Sequence, residues 1–233
     1  MFRLKTADCI NRNFQHIPRN LDADLEVLKM SWNNVATLQE EDFSNYPNLY
    51  ELVLSNNRVG YIYPNTFDNL KLVRIIDLES NNFFQIKEYF FSNLLSLKSL
   101  VLKNNPIETI EKGSFRNLLN LEVLNLERCQ LKIFDGYLMS DLKSLQELNL
   151  NNNNLTTLHE NSQHFVPKTI SVLRLGGNPW RCDCGLKWLK QLLDLSSLNW
   201  NFSKNSPTCS SPEILKEVAW VQLKHHQFTC AAR

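Results

Sequence analysis

Apolar residues recur along the chain in a fixed pattern: the first, fourth and sixth positions of a segment are leucine-like, and the ninth is asparagine. The segment LYELVLSNN shows this pattern, with Leu49, Leu52 and Leu54 separated by residues of mixed polarity. Such alternation is typical of a short strand with one buried face. The segment starts are spaced by 24 residues, with a last step of 25, at Leu25, Leu49, Val73, Leu97, Leu121, Leu145 and Ile170.

The period predicts a solenoid, because one row is too small to bury its own apolar residues and neighbouring rows must supply the core. Strands one period apart are expected to pair in parallel and to form a curved sheet. A weaker first row precedes the others at Leu4, Ala7, Cys9 and Phe14.

A row of asparagines marks the turn after each strand. We expect these amides to be buried and bonded to backbone groups, since an unpaired buried amide would cost about 2–7 kcal/mol. Cys129 takes this place in the fifth of the seven clear rows, where we interpret it as a buried free thiol. The row consists of Asn33, Asn57, Asn81, Asn105, Asn153 and Asn178.

Four cysteines follow the last row, spaced as C-x-C, then 24 residues, a third cysteine, 20 residues and a fourth. Zinc ligand pairs usually stand farther apart than C-x-C, so a zinc site is disfavoured. Four cysteines allow three disulfide pairings, and the spacing does not choose among them.

With the repeat and the segment GNPWRCDCGLKWLKQLL, residues 4–233 resemble the extracellular leucine-rich-repeat family of Toll-like receptors, variable lymphocyte receptors and Slit-type ectodomains. The resemblance implies an α/β fold: a right-handed, horseshoe-shaped solenoid with a concave parallel sheet and a disulfide-bonded C-terminal cap. It implies the pairs Cys182–Cys209 and Cys184–Cys230. It divides the chain into an N-terminal capping row (1–24), repeats (25–177) and a cap (178–233). Cys9 resembles the last cysteine of the family's N-terminal cap.

The composition and motifs of the chain disfavour several classes of function. Lys plus Arg number 25 and Asp plus Glu 24, so the basic excess of a nucleic-acid-binding surface is missing. No apolar run is long enough to cross a membrane, and we expect no membrane contact. No catalytic motif stands in the chain, so we expect neither an enzyme nor a cofactor or metal. The cap predicts an extracellular location, since disulfides persist in oxidising compartments. Sequons at Asn154 and Asn201 predict glycosylation.

Residues between the leucines are expected to face solvent on the concave side. An apolar strip of Val27, Val53, Ile75, Val101 and Val123 there is not required by the core, although β-branched residues also favour strands in general. Trp32 and Tyr50 lie beside the strip and are residue types enriched in binding hot spots. The predicted ligand-binding residues are Lys29, Trp32, Tyr50, Val53, Ile75, Asp77, Glu79, Val101, Lys103, Asn125, Glu127, Arg128 and Asn149.

The mixture of apolar and oppositely charged residues favours a protein or a microbial surface ligand on this face, bound by a monomer. The resemblance makes an immune-type pattern or antigen recognition receptor the leading hypothesis. The alternatives are a cell-adhesion or axon-guidance module and a structural protein of the extracellular matrix.

Overall fold

The computed structural model describes residues 4–91, 94–164, 169–200 and 205–230, and for residues 161 and 164 it describes the backbone only. Within these residues the strands are β1 (Thr6–Asp8), β2 (Val27–Lys29), β3 (Thr37–Leu38), β4 (Glu51–Val53), β5 (Tyr61–Ile62), β6 (Ile75–Asp77), β7 (Gln85–Ile86), β8 (Ser99–Val101), β9 (Thr109–Ile110), β10 (Val123–Asn125), β11 (Glu147–Asn149), β12 (Val172–Arg174), β13 (Trp180–Arg181) and β14 (Cys209–Ser211).

The helices are short. One α-helix, α1, covers Lys187–Leu195. The 3-10 helices in the described residues are Glu40–Asp42, Gly136–Met139, Glu160–His164, Cys184–Leu186, Glu213–Leu215, Trp220–Gln222 and His225–Gln227.

One strand from each row joins a parallel sheet in the order β1-β2-β4-β6-β8-β10-β11-β12. The register repeats the sequence period, so that Leu52 of β4 lies opposite Leu28 and Ile76. The weak first row also contributes a strand, and Ala7 lies opposite Leu28. The predicted parallel solenoid with eight rows is therefore confirmed. On the return side, β3 pairs with β5 and β7 with β9.

The apolar columns form one continuous core along the solenoid. Leu52, Ile76 and Leu100, from three successive rows, are fully buried. Phe43 and Phe67 pack behind the sheet with ring centroids 5.6 Å apart. Burying a side chain of this size contributes about 1.5–3 kcal/mol, and each row obtains that burial from its neighbours.

The asparagine row bonds to the backbone as predicted. Asn81 Nδ2 donates to the carbonyl oxygens of Leu78 in its own row (3.1 Å) and Leu54 in the row before (3.0 Å). Its Oδ1 accepts a hydrogen bond from Val59 N at 2.9 Å. Asn57, Asn105, Asn153 and Asn178 repeat these contacts. The row therefore ties each turn to the preceding one.

Cys129 interrupts this row. Its Sγ lies 3.6 Å from the carbonyl oxygen of Leu102, a distance that suits a weak thiol donor. Burial raises the pKa of Cys129 to about 12, so that the thiol stays protonated. The interpretation as a buried free thiol is confirmed, and Cys9 is also free and buried.

The C-terminal segment closes the core. Disulfides join Cys182 to Cys209 and Cys184 to Cys230, the pairing that the resemblance implied. Trp180 is fully buried, and its Nε1 donates to the carbonyl oxygen of Leu175 at 2.7 Å. The cap thus covers the apolar end that the last row leaves open.

Candidate recognition surface

A ridge of residues with left-handed backbone follows the concave sheet. Each directly precedes one member of the asparagine row or, in one case, Cys129. The ridge consists of Trp32, Asn56, Ser80, Asn104, Arg128, Asn152 and Gly177. This conformation costs most L-residues about 1–2 kcal/mol and is adopted most easily by glycine and asparagine. Trp32 adopts it with φ 62° and leaves 62% of its surface exposed. The fold does not require an indole at this position.

Beside the ridge lies the predicted apolar strip. Val53, Ile75, Val101 and Val123 are half-buried on the concave face, as expected. Val27 was predicted to continue the strip, and this was wrong, because its side chain is only 4% exposed. It lies in β2, opposite Thr6 of the first row. The exposed strip therefore begins at Val53.

The fifth position of each row forms a column on the concave face, called here the second concave column, which supports the turns as well as facing solvent. It consists of Lys29, Val53, Asp77, Val101, Asn125, Asn149 and Arg174. Asp77 Oδ1 accepts a hydrogen bond from Glu79 N at 2.9 Å, and Asn125 accepts one from Glu127 N in the same way. Burial raises the pKa of Asp77, and the neighbouring carboxylates of Glu79 and Glu51 add to the rise. Part of this predicted binding chemistry therefore holds the ends of the strands.

Asn149, a predicted ligand-binding residue, is buried with 5% exposure, and the expectation that it faces solvent was wrong. Its Oδ1 accepts from Asn151 N at 3.0 Å, and its Nδ2 donates to Glu127 Oε2 at 3.2 Å. The seventh position of each row, which includes Ser31 and Ser55, was also expected to face solvent. Instead, Ser31 and Ser55 are buried with their hydroxyls 2.9 Å apart. Hydrogen bonds between adjacent rows draw these short side chains inward.

The predicted charged residues also pair with one another. Lys103 Nζ lies 3.1 Å from Glu79 Oε2, and Asn104 donates to the other oxygen of Glu79 at 3.0 Å. Glu127 accepts from Asn152 at 3.3 Å and lies 3.8 Å from Arg128 Nε. Lys29, which opens the second column, is half-buried in β2.

Tyr50, predicted beside the strip, belongs to a further column just before the strands, whose other members Arg74, Lys98 and Glu122 were not predicted. The Arg74 guanidinium lies 5.3 Å from the ring centroid of Tyr50, a cation–π geometry. Lys98 pairs with Glu122 at 2.5 Å in the same column. The 24-residue spacing of Tyr50, Arg74 and Lys98 was the available signal.

Among residues 4–91, 94–164, 169–200 and 205–230, no group of three or more His, Cys, Asp or Glu side chains is placed to hold a metal ion. Of the helices in the same ranges, none has both the length and the apolar character of a membrane span. Asn154 of the first sequon is exposed, whereas Asn201 of the second lies outside the described residues.

The repeats of this chain match family models, and parts of the chain match known proteins. The family model "Leucine rich repeat" matches residues 23–83 and 71–131, and a second model of the same description matches 144–165. Leucine-rich repeat-containing G-protein coupled receptor 4 of Bos taurus is 35% identical over 60 residues, 26% of this chain and 6% of that protein. Leucine-rich repeat-containing protein 3 of Mus musculus is 37% identical over 62 residues, 27% of this chain and 24% of that protein.

Biglycan of Sus scrofa is 30% identical over 71 residues, 30% of this chain and 26% of that protein. The matched part of the chain thus spans about a quarter or less of the length of these relatives.

Solved structures match over nearly the whole chain. Human 5T4 (trophoblast glycoprotein) has a TM-score of 0.68 and 22% identity, covering 97% of this chain and 94% of that one. A chain of the mouse RP105/MD-1 complex has a TM-score of 0.68 and 20% identity, covering 97% and 41%. A chain of the Latrophilin 3, Unc5D and FLRT2 complex has a TM-score of 0.58 and 21% identity, covering 93% and 80%. At these identities the likeness concerns the fold. By its repeats, the register of its sheet and the family models, the chain belongs to the leucine-rich-repeat family.

Proposed function

We propose that this protein is an extracellular recognition module that binds a protein partner through the first rows of its concave face. The observation that carries the proposal is Trp32, an exposed indole on a left-handed backbone that the core does not need. Tryptophan is among the residues most enriched in binding hot spots, and such residues are surrounded by contacts that exclude water. Val53 and Val101 supply an apolar surface of that kind.

Charge separates the first rows from the later ones. Val53, Ile75 and Val101 give the first rows an apolar centre, and Asp77 stands among them with a raised pKa. In the later rows Glu127 is bonded to Asn149 and Asn152, and Arg174 pairs with Glu147 at 2.9 Å. A partner must break such pairs, and likewise the Lys103–Glu79 pair, before it can use their charges. The apolar centre of the first rows is available without that cost, and this favours the first rows.

Two lines support an extracellular partner. The cap holds two disulfides, and disulfides persist in oxidising compartments. Structural neighbours occur in complexes with other proteins, RP105 with MD-1 and FLRT2 with Latrophilin 3 and Unc5D. An immune-type receptor is one form of the proposal, and a cell-adhesion or axon-guidance module is the second.

The proposal is tested by screening the secreted chain against a library of extracellular protein domains and against microbial glycans. We expect one protein domain to bind, and replacement of Trp32, Val53, Asp77 and Val101 together to weaken it by at least about 30-fold, the loss of one hot spot. Selective binding to a host domain supports the adhesion form, and binding to a microbial protein domain supports the immune form. Binding to microbial glycans alone would contradict the proposed protein partner.

A matched control removes exposed apolar side chains from the convex side. Phe84 and Ile133 are 58% and 76% exposed, and replacing both with alanine should leave binding unchanged. If the concave variant folds and binds as well as the unaltered chain, or if no protein domain binds at all, the proposal is wrong.

A further inference from the structure

A pocket opens on the convex side, away from the concave columns. It has a volume of about 440 Å³, and binding pockets for small molecules usually measure about 300–1,000 Å³. Side chains of three successive rows line it, from the return segments that follow β7, β9 and β10. The polar residues and the exposed aromatic residue in its walls are Glu88, Lys112, Arg116, Tyr137, Ser140 and Asp141.

Tyr137 forms the aromatic wall and is held in place by its helix. It lies in the 3-10 helix Gly136–Met139, where the Asp135 side chain accepts a hydrogen bond from Tyr137 N at 2.9 Å. Its side chain remains 44% exposed, and Lys112 Nζ lies 4.9 Å from the ring centroid. The backbone that carries the ring is therefore fixed, while part of the ring is open to a ligand.

The walls carry charges of both signs. Arg116 Nη1 lies 3.5 Å from Glu88 Oε1, and both side chains are more than half exposed. Asp141 Oδ2 accepts a hydrogen bond from Asn117 N at 3.1 Å, which fixes the orientation of that carboxylate. Two cations, two carboxylates and the Ser140 hydroxyl thus face one opening.

This balance decides the class of ligand. An anion would meet Glu88 and Asp141, and a cation would meet Lys112 and Arg116. A wholly apolar molecule would remove water from all four charged groups and would offer no hydrogen bonds in place of those that the groups make with water. A hydroxyl group both donates and accepts, so a neutral polyhydroxy ligand satisfies carboxylates, ammonium and guanidinium at the same time.

We propose that the convex pocket binds a neutral carbohydrate, with one sugar ring packed on Tyr137. Its hydroxyls donate to Glu88 and Asp141 and accept from Lys112, Arg116 and Ser140. The pocket shares none of its lining residues with the concave face, so a glycan and a protein partner can be bound at the same time.

The test uses maltose, lactose, chitobiose and mannobiose as probes, with saturation-transfer NMR on the whole folded chain. We expect at least one of these disaccharides to bind with a millimolar dissociation constant and Tyr137→Ala to weaken it by at least about tenfold. Tyr63→Ala is the matched control, because Tyr63 is similarly exposed (48%) and lies outside the pocket.

A second variant guards against a folding defect. Arg116→Gln removes an exposed cation that contributes little to the core, and it should weaken the same saccharide while leaving the denaturation midpoint unchanged. The proposal is overturned if none of the four disaccharides binds, if Tyr137→Ala and Arg116→Gln both bind as the unaltered chain does, or if a sulfated disaccharide displaces the neutral one.

Discussion

Two columns of residues run along the solenoid with the same period, one inside it and one on its concave face. Inside, the asparagine row has the same residue type at every place except Cys129. Outside, the second concave column changes from Lys29 to Val53, Asp77 and Val101 in successive rows. The inner place meets the same backbone donors and acceptors in each row, so one side chain fits all of them. The outer place is partly open to solvent in most rows, so its residue type can differ from row to row.

The largest effect is expected for Asn81→Ala inside the solenoid. The change removes the amide that bonds Leu54, Leu78 and Val59, and leaves the buried Val59 N without its acceptor. We expect the free energy of unfolding to fall by about 2–4 kcal/mol, measured by urea denaturation. Asn56→Gly on the neighbouring ridge is the control, since glycine readily adopts its positive φ. A loss below about 1 kcal/mol would show that the row is not essential to the fold.

Cys129 is the exception in the asparagine row and allows the contribution of the amide to be measured there. Cys129→Asn would place an amide where the thiol makes only weak contacts with the carbonyl oxygens of Leu102 and Glu127, and its oxygen could accept from Ile107 N as Asn105 accepts from Phe83 N. We expect a gain of about 1 kcal/mol in the free energy of unfolding. Cys129→Val, which keeps the size but offers no hydrogen bond, should give no gain. Destabilisation by asparagine would mean that this row has a different turn requirement.

On the ridge, Trp32→Asn should separate stability from binding. Asparagine occupies the same left-handed place at positions 56, 104 and 152, and the indole is mostly exposed. We therefore expect the free energy of unfolding to stay unchanged or to rise by up to about 1 kcal/mol, while binding of the partner weakens. Thermal denaturation measures the first, and titration with the partner measures the second. A clear loss of stability would indicate that the indole supports the fold after all.

The smallest effect is expected in the second concave column and depends on pH. Because the folded pKa of Asp77 is raised, the folded chain holds this proton more tightly than the unfolded chain, and stability is lost as pH rises through the folded pKa. Asp77→Asn keeps the acceptor for Glu79 N and removes that loss.

Denaturation of both proteins is measured at neutral pH and at about pH 3, which lies below the ordinary pKa of an aspartate side chain. The two measurements check the direction of the effect on stability. The variant should be slightly more stable at neutral pH, and the difference should vanish in acid. Asp8→Asn, in the same turn of the first row, is the exposed control. A difference that grows toward acid pH would contradict the direction of the shift.

The predictions that held concern positions with the same surroundings in every row. The strand register and the burial of Asn81 and Cys129 followed from the period, because a residue that recurs every 24 positions meets the same neighbours in every row. Asn149 and Val27 were misplaced because alternation gives the side to which a side chain points but not how far adjacent rows cover it. That cover depends on the side chains of the adjacent rows, as with Glu127 of the preceding row over Asn149.

The sequence by itself determined the solenoid, its sheet, the buried asparagine row and, through a resemblance, the disulfide pairing. These are repeated contacts between equivalent positions, and a period is enough to specify them. Only the tertiary structure decided which concave side chains remain open, that Arg74 stacks on Tyr50, and that Glu88, Lys112, Tyr137 and Asp141 meet at one pocket. Those contacts depend on which side chain each row places at a position and on how it is oriented, and their geometry arises only when the rows are stacked.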